Sequence, residues 1–180
     1  MPGLPPLADL GRRIMILGTT NAGKSTLGDA IGRKLGIPAI HADLLYHQPF
    51  TDWEPRPQAE FQALHDEAIA GPEWVIDGNY SAVMPARFAR ASGVIVLDDT
   101  LLNRTRRYFG RTLIQKQRIG GLSGDRDSIK WSMLHWLWHS RNSAAKYRRM
   151  ALESGLPYVF ANNGKELNGL YSAWQLQRAG

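Results

Sequence analysis

Cysteine is absent from the chain. Disulfide frameworks and thiolate metal centres are therefore excluded, and a reducing cytoplasm is the natural setting. No apolar run approaches membrane-spanning length. The opening Met1-Pro2-Gly3-Leu4-Pro5-Pro6-Leu7 lacks the charged region and long apolar stretch of a secretory signal, so residues 1–11 read as a flexible leader. Acidic residues are missing from positions 100–118, where six Lys and Arg fall. Internal repeats and low-complexity tracts are also missing, and residues 12–180 read as one domain able to bury a sizeable core.

Against these absences stands Gly18-Thr19-Thr20-Asn21-Ala22-Gly23-Lys24-Ser25, which fits G-x-x-x-x-G-K-[ST]. Glycines at these positions let the backbone curl so that successive N–H groups face a phosphate. Lys24 is then placed for the β- and γ-phosphates, and the Ser25 hydroxyl for Mg²⁺. At average residue frequencies the pattern arises by chance in roughly one in two hundred chains of this length, so context decides. The run Arg12–Leu17 before it has the apolar character of a buried parallel strand. After it, Leu27, Ile31 and Leu35 recur every four residues until Gly36 and Pro38 stop the helix. Strand, glycine loop and helix follow in the order a phosphate site needs, with the anion at the helix start.

Further strands are predicted at Pro38–Asp43, Trp74–Gly78, Gly93–Asp98 and Tyr158–Asn162. A loop rich in proline and aromatics, Tyr46–Pro57, is expected to close over a ligand. A helix should start near Pro57, with Phe61, Leu64, Ala68 and Ile69 inward, and stop at Gly71-Pro72. A short helix over Ser81–Ala91 follows, then long helical patterns at about 101–118 and 128–153, joined by the loop Gly120–Asp125. A last helix begins near Lys165. Alternating strands and helices predict an α/β fold of the P-loop NTPase type: a five-stranded parallel sheet flanked by helices, with a basic helical lid at about 101–150. Ligands of such sheets bind at the strand carboxyl ends. Asp43, Asp77, Asp98 and Asn162 all fall there. Asp77 is the preferred second group at the metal, with Asp98 and Asp99 as competitors after an equally apolar strand.

The net charge of +6 is unevenly placed. Residues 100–150 carry twelve Lys or Arg and two acids, 12 − 2 = +10, while the remainder carries 10 − 14 = −4. Arg104, Arg107, Arg111 and Arg118 share one helical face, and Arg141 and Arg148 lie a heptad apart. A solvated face usually mixes signs, so these arginines read as a clamp that neutralises phosphoryl-transfer charge. A nucleic-acid patch accounts for the same imbalance. His41 and His47 have no ligand cluster around them and read as hydrogen-bonding pocket groups. Trp131, Trp136 and Trp138 do not share a stripe, whereas Met133, Leu137, Ala144 and Tyr147 do.

The run His41-Ala42-Asp43-Leu44-Leu45, then Trp53 and Pro57, then Trp74-Val75-Ile76-Asp77-Gly78-Asn79-Tyr80-Ser81, resembles the adenylate-kinase-like P-loop proteins called DNA topology modulation proteins. Arg87, Leu97-Asp98, Arg104 to Arg111, and Trp136 with Trp138 fit the same pattern, which spans about residues 12–170. The resemblance implies a nucleoside- or nucleotide-kinase-like fold with a mobile lid and an acceptor pocket beside the P-loop. It implies ATP at Gly18 to Thr26 (Thr26 included), Mg²⁺ at Ser25 and Asp77, and an acceptor held by His41, Asp43, Asn79, Tyr80 and Arg87. It further implies that Arg104, Arg107 and Arg111 belong to the lid. Two positions depart from related patterns. Asn79-Tyr80-Ser81 replaces the Pro-Arg sequence of true adenylate kinases, which disfavours AMP, and His47 stands where a tryptophan is expected.

The expectation is a Mg²⁺·ATP-dependent phosphotransferase acting on a small acceptor such as a nucleoside or nucleotide. In it Lys24, Arg104, Arg107, Arg111 and Arg141 serve the transferring group, and Asp43 orients the acceptor hydroxyl, including as general base. The rival is an ATP-binding regulator that contacts DNA through residues 104–149. A third reading is an ATP-binding protein without acceptor chemistry.

Overall fold

The computed structural model describes residues 4–51, 53–100, 103, 105 and 143–178 of the 180-residue chain. The described elements are β1 (Arg13–Gly18), α1 (Lys24–Leu35), β2 (Ala39–His41), α2 (Ala42–Tyr46), α3 (Gln58–Ala70), β3 (Trp74–Asp77), α4 (Met84–Arg90), β4 (Gly93–Leu97), α5 (Ser143–Glu153), β5 (Tyr158–Ala161) and α6 (Gly164–Ala173). Short 3₁₀ turns cover Leu7–Leu10 and Ser81–Val83. The five strands form one sheet in the order β2-β3-β1-β4-β5. Every neighbouring pair is parallel.

Alternation along the strands explains why the sheet is covered on both sides. Ile14 and Ile16 of β1, Val75 of β3, and Ile95 and Leu97 of β4 join one core with Leu27 and Ile31 of α1 and Leu170 of α6. Met15, Leu17, Trp74, Ile76, Val94 and Val96 point the other way, onto Ile69, Met84, Tyr147 and Ala151. Strands buried on both faces read as unbroken apolar runs, which is what β1, β3 and β4 are. Each such buried side chain stabilises the fold by about 1.5–3 kcal/mol. The same alternation puts Asp77 on the face of Val75, which is the face that α1 covers.

Three features differ from the sequence reading. The segment expected as a loose leader is docked from Pro5 onward. Leu10 is fully buried in the α1-side core, Ser92 Oγ donates to Leu10 O at 2.9 Å, and Trp174 Nε1 donates to Pro5 O at 3.0 Å. The second strand ends at His41, and Asp43 lies in the first turn of the short α2 rather than on a strand end. On α3 the buried residues are Phe61, His65 and Ile69, so a histidine takes an inward place that had been given to Leu64. Most of the proposed lid, including Arg104, Arg107, Arg111, Arg118 and Arg141, lies outside the described residues, as do Trp131, Met133, Trp136, Leu137 and Trp138. From the second long helical pattern only α5 is described, and it buries Ala144 and Tyr147 as expected. No helix among the described residues is long and apolar enough to cross a membrane.

Candidate active site

The loop between β1 and α1 depends on one backbone conformation above all. Gly18 has φ +134°, and a Cβ there would lie 1.9 Å from Leu97 O. No other residue fits both constraints. Thr19 N then donates to Leu97 O at 3.0 Å, and the Thr19 side chain is fully buried. The N-cap of α1 is Gly23 in the left-handed region, and no side chain caps the helix. Lys24 folds back along the loop instead of pointing to solvent: its Nζ donates to Gly18 O at 3.2 Å and to Thr19 O at 2.9 Å. Thr20, Asn21 and Ala22 complete the turn, and Thr26 follows in the first turn of α1.

Beside the loop, Asp77 ends β3 and is held on both oxygens. Ser25 Oγ donates to Oδ2 at 2.6 Å, and His41 Nδ1 lies 2.8 Å from Oδ1. A carboxylate only accepts, so His41 carries its hydrogen on Nδ1 toward Asp77. The pairing has a simple origin. His41 and Asp77 are register partners across β2 and β3, so they share a sheet face. Ser25 reaches the same face from the first turn of α1.

Asp98, the competitor of Asp77, follows the last residue of β4, Leu97, on the other flank of the loop. It takes Arg148 Nη2 at 3.0 Å and the Asp99 N–H at 2.9 Å, with Thr19 Oγ1 at 3.4 Å. Asp99 accepts from Thr100 N and from Asn103 Nδ2. Asn162 bonds Glu166 beyond β5, where Asn163 caps α6. The geometry therefore joins Asp77, and neither Asp98 nor Asp99, to the P-loop serine.

The turn after β3 carries the remaining candidates. Gly78 has φ +115°, and a Cβ there would meet Ala42 Cβ at 2.8 Å, so glycine lets α2 approach. Asn79 is turned to the phosphate loop rather than to the acceptor side: its Oδ1 accepts from Gly18 N at 3.2 Å and its Nδ2 donates to Gly18 O at 2.6 Å. Tyr80 donates its hydroxyl to Asp43 Oδ1 at 2.7 Å. Burial first, and then the Asp43 charge, push the Tyr80 hydroxyl up, so it stays protonated. Around this pair, Tyr46, Phe61 and Tyr80 pack with ring centroids 4.7–5.1 Å apart. His47 and Trp53 extend the cluster at 4.7 and 5.1 Å.

Arg87 lies under the turn and is fully buried. Its Nη1 donates to Gly78 O at 2.7 Å and its Nε to His65 Nε2 at 3.3 Å. Burial lowers its pKa to about 10, with Asp77 and Tyr80 opposing the shift, so the guanidinium remains charged near neutrality. Because His65 Nε2 accepts, the ring is neutral and Nδ1 faces Asp66. Burial is the main reason the His65 pKa is lowered, and the Arg87 charge adds to it. Arg148, read from the sequence with the clamp arginines, bonds Asp98, while His65 and the Asn79–Gly18 pairing are not foreseen as parts of the site. The spacing Phe61-His65-Ile69 is the one signal that finds His65, since i, i+4, i+8 marks an inward stripe.

Among the described residues, no group of three or more His, Asp or Glu side chains gathers as a metal site. A Mg²⁺ ion takes one or two protein ligands and completes its shell with phosphate oxygens and water. Ser25 and Asp77 supply such a donor set.

No protein-family model and no curated protein matches the chain. Solved structures do. A shikimate kinase from Bacteroides thetaiotaomicron is 21% identical with TM-score 0.52, over 91% of this chain and 98% of that one. A gluconokinase from Sinorhizobium meliloti 1021 is 17% identical with TM-score 0.53, covering 92% of this chain and 90% of its own. A shikimate kinase from Acinetobacter baumannii, solved with shikimate, is 16% identical with TM-score 0.52, covering 93% of each chain. These likenesses bear on the fold and leave the resemblance to DNA topology modulation proteins without further support. The five-stranded parallel sheet, its flanking helices and these neighbours establish the α/β P-loop NTPase fold for this chain.

Proposed function

We propose that the protein is a Mg²⁺·ATP-dependent phosphotransferase acting on a small hydroxyl-bearing acceptor. The observation that carries this reading is the 2.6 Å bond from Ser25 Oγ to Asp77 Oδ2 beside a complete phosphate loop. Asp43 lies two residues past β2, in the first turn of α2, and is bonded by Tyr80. When bound, Mg²⁺·ATP supplies the γ-phosphoryl group and a cation that neutralises its charge. Lys24 exchanges its bonds to Gly18 O and Thr19 O for phosphate oxygens. Ser25 and Asp77 would hold the cation, and His41 keeps the Asp77 carboxylate oriented. Asp43 orients the acceptor hydroxyl and receives its proton. Arg104, Arg107, Arg111 and Arg141 enter the proposal as charge-neutralising lid residues on their sequence alone.

The neighbours' names support the same class of chemistry, since a shikimate kinase and a gluconokinase each phosphorylate a small hydroxylated molecule. The DNA-contacting alternative rests on residues 104–149, most of which lie outside the described residues. Arg148, which is described, is bonded to Asp98. The test is transfer of labelled γ-phosphate from Mg²⁺·ATP to a panel of nucleosides, nucleotides and hydroxylated metabolites. The wild type should label at least one acceptor, and Lys24→Ala should lose about a hundredfold or more of that rate while keeping its fold. A wild type that labels nothing, together with a Lys24→Ala variant that binds ATP equally well, would overturn the assignment.

A further inference from the structure

The end of β3 and the turn after it form a junction between separate segments. Asp77 is bonded by Ser25 and His41, Asn79 bonds both main-chain groups of Gly18, and Tyr80 bonds Asp43. The residue among them that has no side chain is Gly78, with φ +115°. Glycine resists rotation less than any other residue, and rotation there redirects Asn79 and Tyr80 together. The turn therefore needs a hold from outside itself, and Arg87 supplies one. It comes from α4, is fully buried, and donates from Nη1 to Gly78 O at 2.7 Å. Its Nε donates to His65 Nε2 on α3 at 3.3 Å. Its Nη2 is buried too and has no hydrogen-bond partner among the described residues.

Both partners of this guanidinium are uncharged, a carbonyl oxygen and a neutral imidazole. Burial lowers the Arg87 pKa, and the Asp77 charge is the main influence opposing it. A cation taken out of water without a bonded carboxylate weighs against stability, and an apolar side chain would fill the same space more favourably. A cation kept there has a task that packing does not perform. We infer that Arg87 is a positioning residue: by holding Gly78 O it fixes the turn from which Asn79 and Tyr80 reach the phosphate loop and Asp43, directly behind Asp77. The family resemblance implied a contact between Arg87 and the acceptor, whereas its described bonds run to the main chain of the turn and to α3. The inference rests on the phosphotransferase reading for what the turn serves. The hold itself lies within the protein and is measurable without a nucleotide.

The experiment follows two signals on the full chain: solvent exchange of the Asn79 Nδ2 protons by NMR, without nucleotide, and ATP affinity with Mg²⁺ by calorimetry. Arg87→Met removes every donor and keeps an unbranched apolar stem. In it the Asn79 protons should exchange about tenfold faster than in the wild type, and ATP should bind about tenfold more weakly. Arg87→Gln, whose shorter amide reaches His65 and not Gly78 O, should give the same two changes, and it carries the test if Arg87→Met does not fold. Arg87→Lys returns one charged donor toward Gly78 O and should bring both values back to within about threefold of the wild type. A purely structural role would lower the unfolding midpoint in denaturant while the folded variants keep wild-type Asn79 exchange and ATP affinity. That result overturns the inference, and so does an Arg87→Lys variant that recovers neither signal. A wild type that binds no ATP, with Asn79 protons that respond to Arg87→Met as expected, upholds the hold on the turn and counts against the phosphotransferase reading instead.

Discussion

Around the phosphate loop the contacts are made by backbone groups and by charged or hydroxyl side chains. Gly18 is fixed by Leu97 and by both ends of the Asn79 amide, and Asp77 by Ser25 and His41. The face after β2 and β3 is assembled differently, from aromatic rings and one hydroxyl–carboxylate bond. Backbone-fixed geometry tolerates almost no substitution, because a shift of the main chain moves every donor at once. Ring packing is more forgiving, because volume-conserving changes keep most of its area. The nucleotide side should therefore be brittle and the proposed acceptor side tunable.

The largest effect is expected from Gly18→Ala. With φ +134° and a carbonyl oxygen 1.9 Å from the new Cβ, the loop must shift bodily. Unfolding in denaturant should register a loss of roughly 3–5 kcal/mol or a protein that no longer folds. A stable Gly18→Ala variant would end the claim that the nucleotide side is brittle. Next in size is Asn79→Ala, which removes two bonds to Gly18 and should cost about 1–3 kcal/mol of stability. Its functional effect should fall on ATP affinity and leave the acceptor KM nearly unchanged. The opposite split would return Asn79 to the acceptor side and blur the boundary between the two regions.

The smallest effect concerns the His65 support under the turn. Its pKa is lowered in the folded protein from the ordinary 6.5, so the unfolded chain binds the proton more readily. Stability from this group is complete above pH 6.5 and is lost as the pH falls from there toward the lowered folded value. His65→Gln keeps an acceptor for Arg87 Nε and removes the titration. Its unfolding free energy should lack that part of the acid slope, which is at most about 1.4 kcal/mol per pH unit. Identical slopes in wild type and variant, measured by denaturant unfolding between pH 5 and 7 (roughly the histidine range), would contradict the neutral, buried assignment.

How much of this was readable beforehand follows the same division. Gly18 to Ser25 is contiguous, and its chemistry is local backbone chemistry, so the motif and its flanking strand and helix were legible without tertiary information. The runs of β1, β3 and β4 were legible because both faces are buried. His41–Asp77 depended on which strands become neighbours, and the sheet order is not written in any one segment. Asp43 was misplaced because three residues of β2 give too little alternation to mark where the strand stops. Pro5 and Leu10 read as parts of a leader because their partners, Trp174 and Ser92, lie far along the chain. Asn79 was assigned by resemblance to the acceptor, whereas its amide matches the spacing of a backbone N–H and C=O pair. Arg104, Arg107, Arg111 and Arg141 are legible only as a charge imbalance, and they lie outside the described residues.

The proposed roles give the metal to Asp77 and the acceptor to Asp43. The most direct measurement is titration calorimetry of ATP, with and without Mg²⁺, on wild type, Asp77→Asn and Asp43→Asn. Mg²⁺ should tighten ATP binding in the wild type and in Asp43→Asn alike, and most of that gain should vanish in Asp77→Asn. A Mg²⁺ effect that survives in Asp77→Asn, or disappears equally in both variants, would contradict the division of roles.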